Sequence, residues 1–249
     1  MSSVISRGWK KSLRTFPSLG NAGASFRAVS IFFAAGLFAV SSPGGEVRGR
    51  VTAKGKDVPN EAGGGGKYES RKARFFERVD YGQLRDFVVW LETTNVLTFP
   101  KPTKPVQVVV QKDAMFHPHV LPILVGTDVE WPNQDDIFHN VFSFSDAREF
   151  DLGLYKDQVK KVAFDRPGRV DIFCSIHKNM GCVILVRENP WFAAAGADGR
   201  YSIGNVPAGH YRIKAWHERL PPQTREIDVA ADGADTQDFV LGITGLPQL

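Results

Sequence analysis

The sequence has little of what usually commits a chain to a function class. It holds 249 residues with only two cysteines, Cys174 and Cys182, and apart from Met1 only two methionines, Met115 and Met180. So few thiols exclude a disulfide-dense scaffold. No apolar run reaches the roughly 20 residues that a membrane-crossing helix needs, which excludes a multi-span membrane protein. There is no GxSxG elbow, Walker loop, HExxH or pair of catalytic carboxylates, so the common hydrolase and nucleotide-binding signatures are missing. Nor does any apolar run sustain helical periodicity. At 43% hydrophobic and 23% charged residues, the chain is nevertheless rich enough in apolar side chains to bury a core.

The net charge of +4 is unevenly placed. Residues 1–45 carry Arg7, Lys10, Lys11, Arg14 and Arg27 and no acid, followed by the apolar stretch Ala28–Val40 and then Ser41, Ser42 and Gly44. A basic segment, a short apolar segment and small residues form the layout of a secretory signal peptide. Export to the periplasm or secretion is therefore expected, with an uncleaved anchor or an amphipathic transit peptide as the alternatives and no membrane span beyond the leader. Taking these five cations from the 31 Lys+Arg leaves 26 against 27 Asp+Glu, a net of −1. Nucleic acid is thus not an expected partner.

After the leader the chain reads as strands. Val47–Ala53 alternates, Phe87–Leu91 (FVVWL) is continuously apolar, and further strand signals fall at 106–110, 121–125, 128–131, 141–144, 160–164, 169–173 and 182–186. Glycines and prolines separate most of them. Many short strands at near-regular spacing predict an all-β sandwich. The Gly63–Gly66 run reads as a flexible loop, Lys67–Gln83 as a charged surface insertion, and Pro100, Pro102 and Pro105 as a linker.

One segment concentrates metal-ligand chemistry. In IFCSIHKNMGCVILV (172–186), Cys174, His177 and Met180 follow the spacing C-x2-H-x2-M between two apolar strands, and upstream His139 precedes Asn140 in IFHNVFSF. A thiolate and two imidazoles in a plane, with a weak axial thioether, form the set that copper favours for electron transfer. At this point the sequence resembles the cupredoxins. FDRPGRVDIFCSIHKNMGCVILV looks like their last two strands and ligand loop, with the short loop spacing of amicyanin. PHVLPILVGTDVEWPNQDDIFHNVFSF looks like the region before their first His ligand. The resemblance implies one type 1 copper site held by His139, Cys174, His177 and Met180. It gives Asn140 the task of hydrogen-bonding the His139 segment to the ligand loop.

The chain also departs from that family. Lys178 follows the loop His where many cupredoxins have proline, which puts a cation near the metal or marks a docking surface for an anionic partner. Cys182 reads as a small buried hydrophobe. The rival reading joins Cys174 to Cys182 in a disulfide, which would abolish the copper site. His117 and His119, with Met115, are candidates for a second, weaker site or for a polar strand edge, while His210 and His217 read as surface or structural residues.

The tail is a different module. ADGRYSIGNVPAGHYRIKAWHE (197–218) carries a DGxYxI strand, a VPxG turn and a YxIxxW strand. It resembles the transthyretin-like modules called carboxypeptidase regulatory-like or CnaB-like domains. The expected organisation is a leader at 1–45, first strands of that small sandwich at 46–95, a cupredoxin Greek-key β-sandwich at 96–190, and the remainder of the small sandwich at 191–249. The cupredoxin part would be inserted or, alternatively, in tandem. This order of modules is similar to bacterial plastocyanin-like proteins labelled methylamine-utilisation proteins. The resemblance implies a carrier of single electrons between periplasmic redox proteins rather than an enzyme. The alternatives are a nitrosocyanin-like centre with an open metal position, or a non-redox copper-binding or structural adhesion module.

Overall fold

The structure, a computed structural model, describes residues 44–55, 80–93 and 106–242. The leader, the Gly63–Gly66 run, residues 67–79 of the charged insertion and the Pro100, Pro102 and Pro105 cluster lie outside the described residues. The end of that insertion is a single 3-10 turn, Tyr81–Gln83, capped by the Asp80 carboxylate accepting from the Gly82 N–H.

All other regular structure among the described residues is β. The first strands are β1 (Gly45–Ala53), β2 (Val88–Glu92), β3 (Val106–Val108), β4 (Val110–Lys112), β5 (Met115–His117) and β6 (Val120–Leu124). Then come β7 (Thr127–Pro132), β8 (His139–Ser145), β9 (Arg148–Tyr155), β10 (Val159–Phe164), β11 (Gly168–Phe173) and β12 (Gly181–Arg187). The last six are β13 (Phe192–Ala194), β14 (Arg200–Val206), β15 (Gly209–His217), β16 (Leu220–Val229), β17 (Ala234–Thr236) and β18 (Phe239–Leu241).

These strands build two β-sandwiches. In the first, β14-β1-β17, with β18 also on β1, faces β13-β2-β15-β16. Its core holds Val47, Val51, Val89, Leu91, Ile213 and Leu241. In the second, β10-β7-β3 faces β6-β12-β11-β8-β9, around Val129, Trp131, Val141, Phe164, Ile172 and Ile184. Strands β1 and β2 precede the second sandwich in the chain, and β13 to β18 follow it.

Strand alternation explains how the two sandwiches meet. Val89 and Leu91 of β2 point into the first core, while Val88 and Trp90 point the other way. On β12, Cys182, Ile184 and Val186 enter the second core, whereas Val183 and Leu185 face out. The outward side chains, with Val120, form a third apolar layer between the sandwiches. A strand covered on both faces cannot alternate, which is why FVVWL and CVILV read as unbroken apolar runs. Cations close the edges of this layer: the Arg187 guanidinium lies 4.2 Å from the Trp90 ring centroid and that of Arg169 5.5 Å from Trp216.

Two strands without a sequence signal have local reasons for their silence. The outer face of β9 carries Glu149, Asp151 and Gly153, the last at φ +64°. Strand β16 contains Pro221 and Pro222, tolerated because it is the sheet's edge and the register shifts there.

Candidate metal centre

Topology brings the proposed donors to one end of one sheet. Strand β11 runs antiparallel to both β8 and β12, with Phe173 opposite Phe142 on one side and Gly181 on the other. The C-terminal end of β11, which delivers Cys174, therefore lies beside the N-terminal ends of β8 and β12. His139 is the first residue of β8, and Met180 immediately precedes β12.

The loop between Cys174 and Met180 is closed by its own backbone. Cys174 N–H donates to the Met180 carbonyl at 3.1 Å, and Met180 N–H to the His177 carbonyl at 3.0 Å. The donor atoms of His139, Cys174 and His177 all lie within 4.8 Å of one another. The two Nδ1 atoms are 3.1 Å apart, and Cys174 Sγ is 3.8 Å from His177 Nδ1. A first-row ion held about 2.0–2.1 Å from nitrogen and about 2.3 Å from sulfur, in a plane, keeps its donors roughly 3.5–3.8 Å apart. The cluster fits such an ion. His139 is fully buried, Met180 is 1% exposed, and His177 is half-buried, so one imidazole faces the surface.

Asp135 completes the centre, and sequence reasoning missed it. His139 Nε2–H donates to Asp135 Oδ2 at 2.7 Å, which leaves Nδ1 facing the cluster. The carboxylate is itself held by the backbone N–H groups of Asp113 (2.7 Å) and Ala114 (2.9 Å), at the tip of the β4–β5 hairpin. Asn133 Oδ1 accepts from the Asp135 N–H at 2.9 Å and fixes the start of the turn. Although burial pushes the Asp135 carboxyl up, these hydrogen bonds hold it below its ordinary value. The only trace in the sequence is an aspartate four residues before His139, one of two adjacent and indistinguishable aspartates.

Other expected residues take different places. Asn140 is buried, but its Nδ2 donates to Asp151 on β9 at 2.7 Å rather than to the ligand loop, and its Oδ1 has no partner. The reason is directional: alternation turns Asn140 away from the core that His139 enters, toward the face shared with β9. Cys174 and Cys182 are both free and buried. Cys182 lies in the second core, and burial pushes its thiol well above the ordinary value. Lys178 is exposed on the loop. Among the described residues, His117 and His119 do not join the donor cluster. Tyr155, also in this core, has its hydroxyl pushed up to about 12 by burial, and it donates to the Trp131 carbonyl at 2.8 Å.

No family model and no curated protein matches the chain. Solved structures similar to it cover about a third to two fifths of its length. A Cu-containing nitrite reductase from Thermus scotoductus is 26% identical over 39% of this chain and 25% of its own, at TM-score 0.32. The chain thus spans a quarter of that protein's length. A reduced variant of amicyanin is 22% identical over 39% of this chain and 99% of its own, at TM-score 0.31. A purple cupredoxin from Nitrosopumilus maritimus is 22% identical over 32% of this chain and 99% of its own, at TM-score 0.29.

Proposed function

We propose that this chain is an exported type 1 copper protein that carries single electrons between redox proteins. The observation that carries this reading is the cluster itself: one thiol and two Nδ1 atoms within 4.8 Å, on strand ends and a self-closed loop. His139, Cys174 and His177 would hold the ion, with Met180 as the fourth donor. Copper so held supplies one-electron transfer between Cu(I) and Cu(II).

The chain's own part is rigidity. His139 is fixed by Asp135, Cys174 by the β11 end, and the loop by its two internal hydrogen bonds. Donors that do not rearrange keep the cost of changing oxidation state low. Met180, buried in the core, supports a closed centre and a carrier rather than an open position for a small molecule. Exposed apolar residues flank the donors in sequence: Phe138 (56%), Phe173 (47%) and Ile176 (51%). They suit brief docking of a protein partner near the half-buried His177.

The test is a titration of the metal-free chain with Cu(II), followed by its visible spectrum. An intense thiolate-to-copper band that vanishes in Cys174→Ala is expected, with a shifted potential in Met180→Leu. A colourless wild type whose thiols remain titratable would refute the reading.

A further inference from the structure

His119 enters neither the donor cluster nor a core. Its ring sits between two acceptors, with Nδ1 3.1 Å from the Gly181 carbonyl oxygen and Nε2 2.8 Å from Glu218 Oε1. Gly181 is the residue after Met180 and opens β12. Glu218 lies in the turn between β15 and β16, on the other sandwich. A carbonyl and a carboxylate only accept, so each ring nitrogen of His119 faces an acceptor. The backbone joins in: Val183 N–H donates to the His119 carbonyl at 2.8 Å. One residue therefore ties the start of β12 at two points and ties it across to the first sandwich.

We propose that Glu218 is a positioning residue for the metal centre, acting through His119 on the Gly181 peptide. The chain of contact is short. Gly181 follows Met180, whose backbone closes the ligand loop in both directions, to Cys174 and to His177. Holding the Gly181 carbonyl fixes the Gly181–Cys182 peptide, one residue beyond Met180, and so anchors the strand end that carries the Met180 backbone. In the copper reading, Met180 would be the weak fourth donor, whose placement tunes the potential, while His139, Cys174 and His177 would hold the ion. The first sandwich is then a part of the centre, reaching it across the apolar layer of Val88, Trp90, Val183 and Leu185. The effect on the loop rests on geometry alone, and the effect on the potential rests on the proposed copper site.

The experiment has two arms on the full chain, with Glu218→Ala and Glu218→Gln. In the metal-free protein, amide exchange over residues 181–183 is expected to accelerate about tenfold in Glu218→Ala, the loss of one charge-assisted hydrogen bond. Glu218→Gln, which keeps an acceptor, should restore part of the protection. Exchange in β10, remote from the pair, should stay unchanged as the control for folding. In the copper-loaded protein, the reduction potential should shift in Glu218→Ala while the thiolate-to-copper band persists. Unchanged exchange at 181–183 in a folded Glu218→Ala overturns the proposal whether or not copper binds. Faster exchange with an unmoved potential also overturns it. Faster exchange in a wild-type background that gives no thiolate band supports the tie between the sandwiches and refutes the copper reading instead.

Discussion

Replacing Asp135 by alanine removes the one carboxylate that joins the β4–β5 hairpin tip to His139. Three donors lose their acceptor: the N–H groups of Asp113 and Ala114 and His139 Nε2–H. Their environments decide the magnitude. The hairpin-tip amides reach water once the carboxylate is gone, so their loss is small. Both tip residues sit in the left-handed region, at φ +54° and +53°, and without the carboxylate this turn loses its anchor, costing about 1 kcal/mol. His139 is fully buried, so its orphaned N–H carries a desolvation penalty of about 1–3 kcal/mol. The metal-free chain should therefore unfold about 2–4 kcal/mol more easily, read from denaturant midpoints at unchanged slope. Freed from Asp135, the imidazole no longer presents Nδ1 by default, and copper affinity should fall about 10–100-fold in competition with a chelator. Asp135→Asn, with one acceptor oxygen and no charge, should fall between. An alanine variant within about twofold of wild-type affinity would refute the claim that this carboxylate orients the ligand.

Three further outcomes follow from the packing. Leu185→Ala empties part of the layer between the sandwiches and should cost about 2–5 kcal/mol while sparing the copper band; loss of the band would show that this layer and the centre are not separate. Cys182 is buried with its thiol held well above the ordinary value; a thiol reagent should leave it unmodified in the native metal-free chain and find two thiols after denaturation. Finding none then would instead show a disulfide. Burial against Phe87 lowers His217 below the ordinary imidazole range, despite the pull of Glu218 and Asp86. The unfolded chain thus binds this proton more readily, and stability falls as pH drops below about 6.5. His217→Phe should narrow the gap between thermal midpoints at pH 7.5 and pH 5, and an unchanged gap would count against the assignment.

What the sequence determines by itself is whatever depends on neighbours in the chain. The all-β class is legible because strand alternation and turn residues are local, and the loop donors are legible because Cys174, His177 and Met180 fall within seven residues. His139 is readable only by resemblance, since it lies 35 positions before Cys174 and pairing of β8 with β11 brings them together. Tertiary structure alone decides the rest. It selects Asp135 over Asp136, because only the former carboxylate meets the hairpin tip and His139 while the latter turns out to Lys156. It turns Asn140 to Asp151, since its side chain leaves the face that carries the donors. It covers both faces of β2 and β12, and so sets Glu218 against His119, 99 residues away in sequence. These are contacts between surfaces that each look complete alone, and no local pattern encodes which surface meets which.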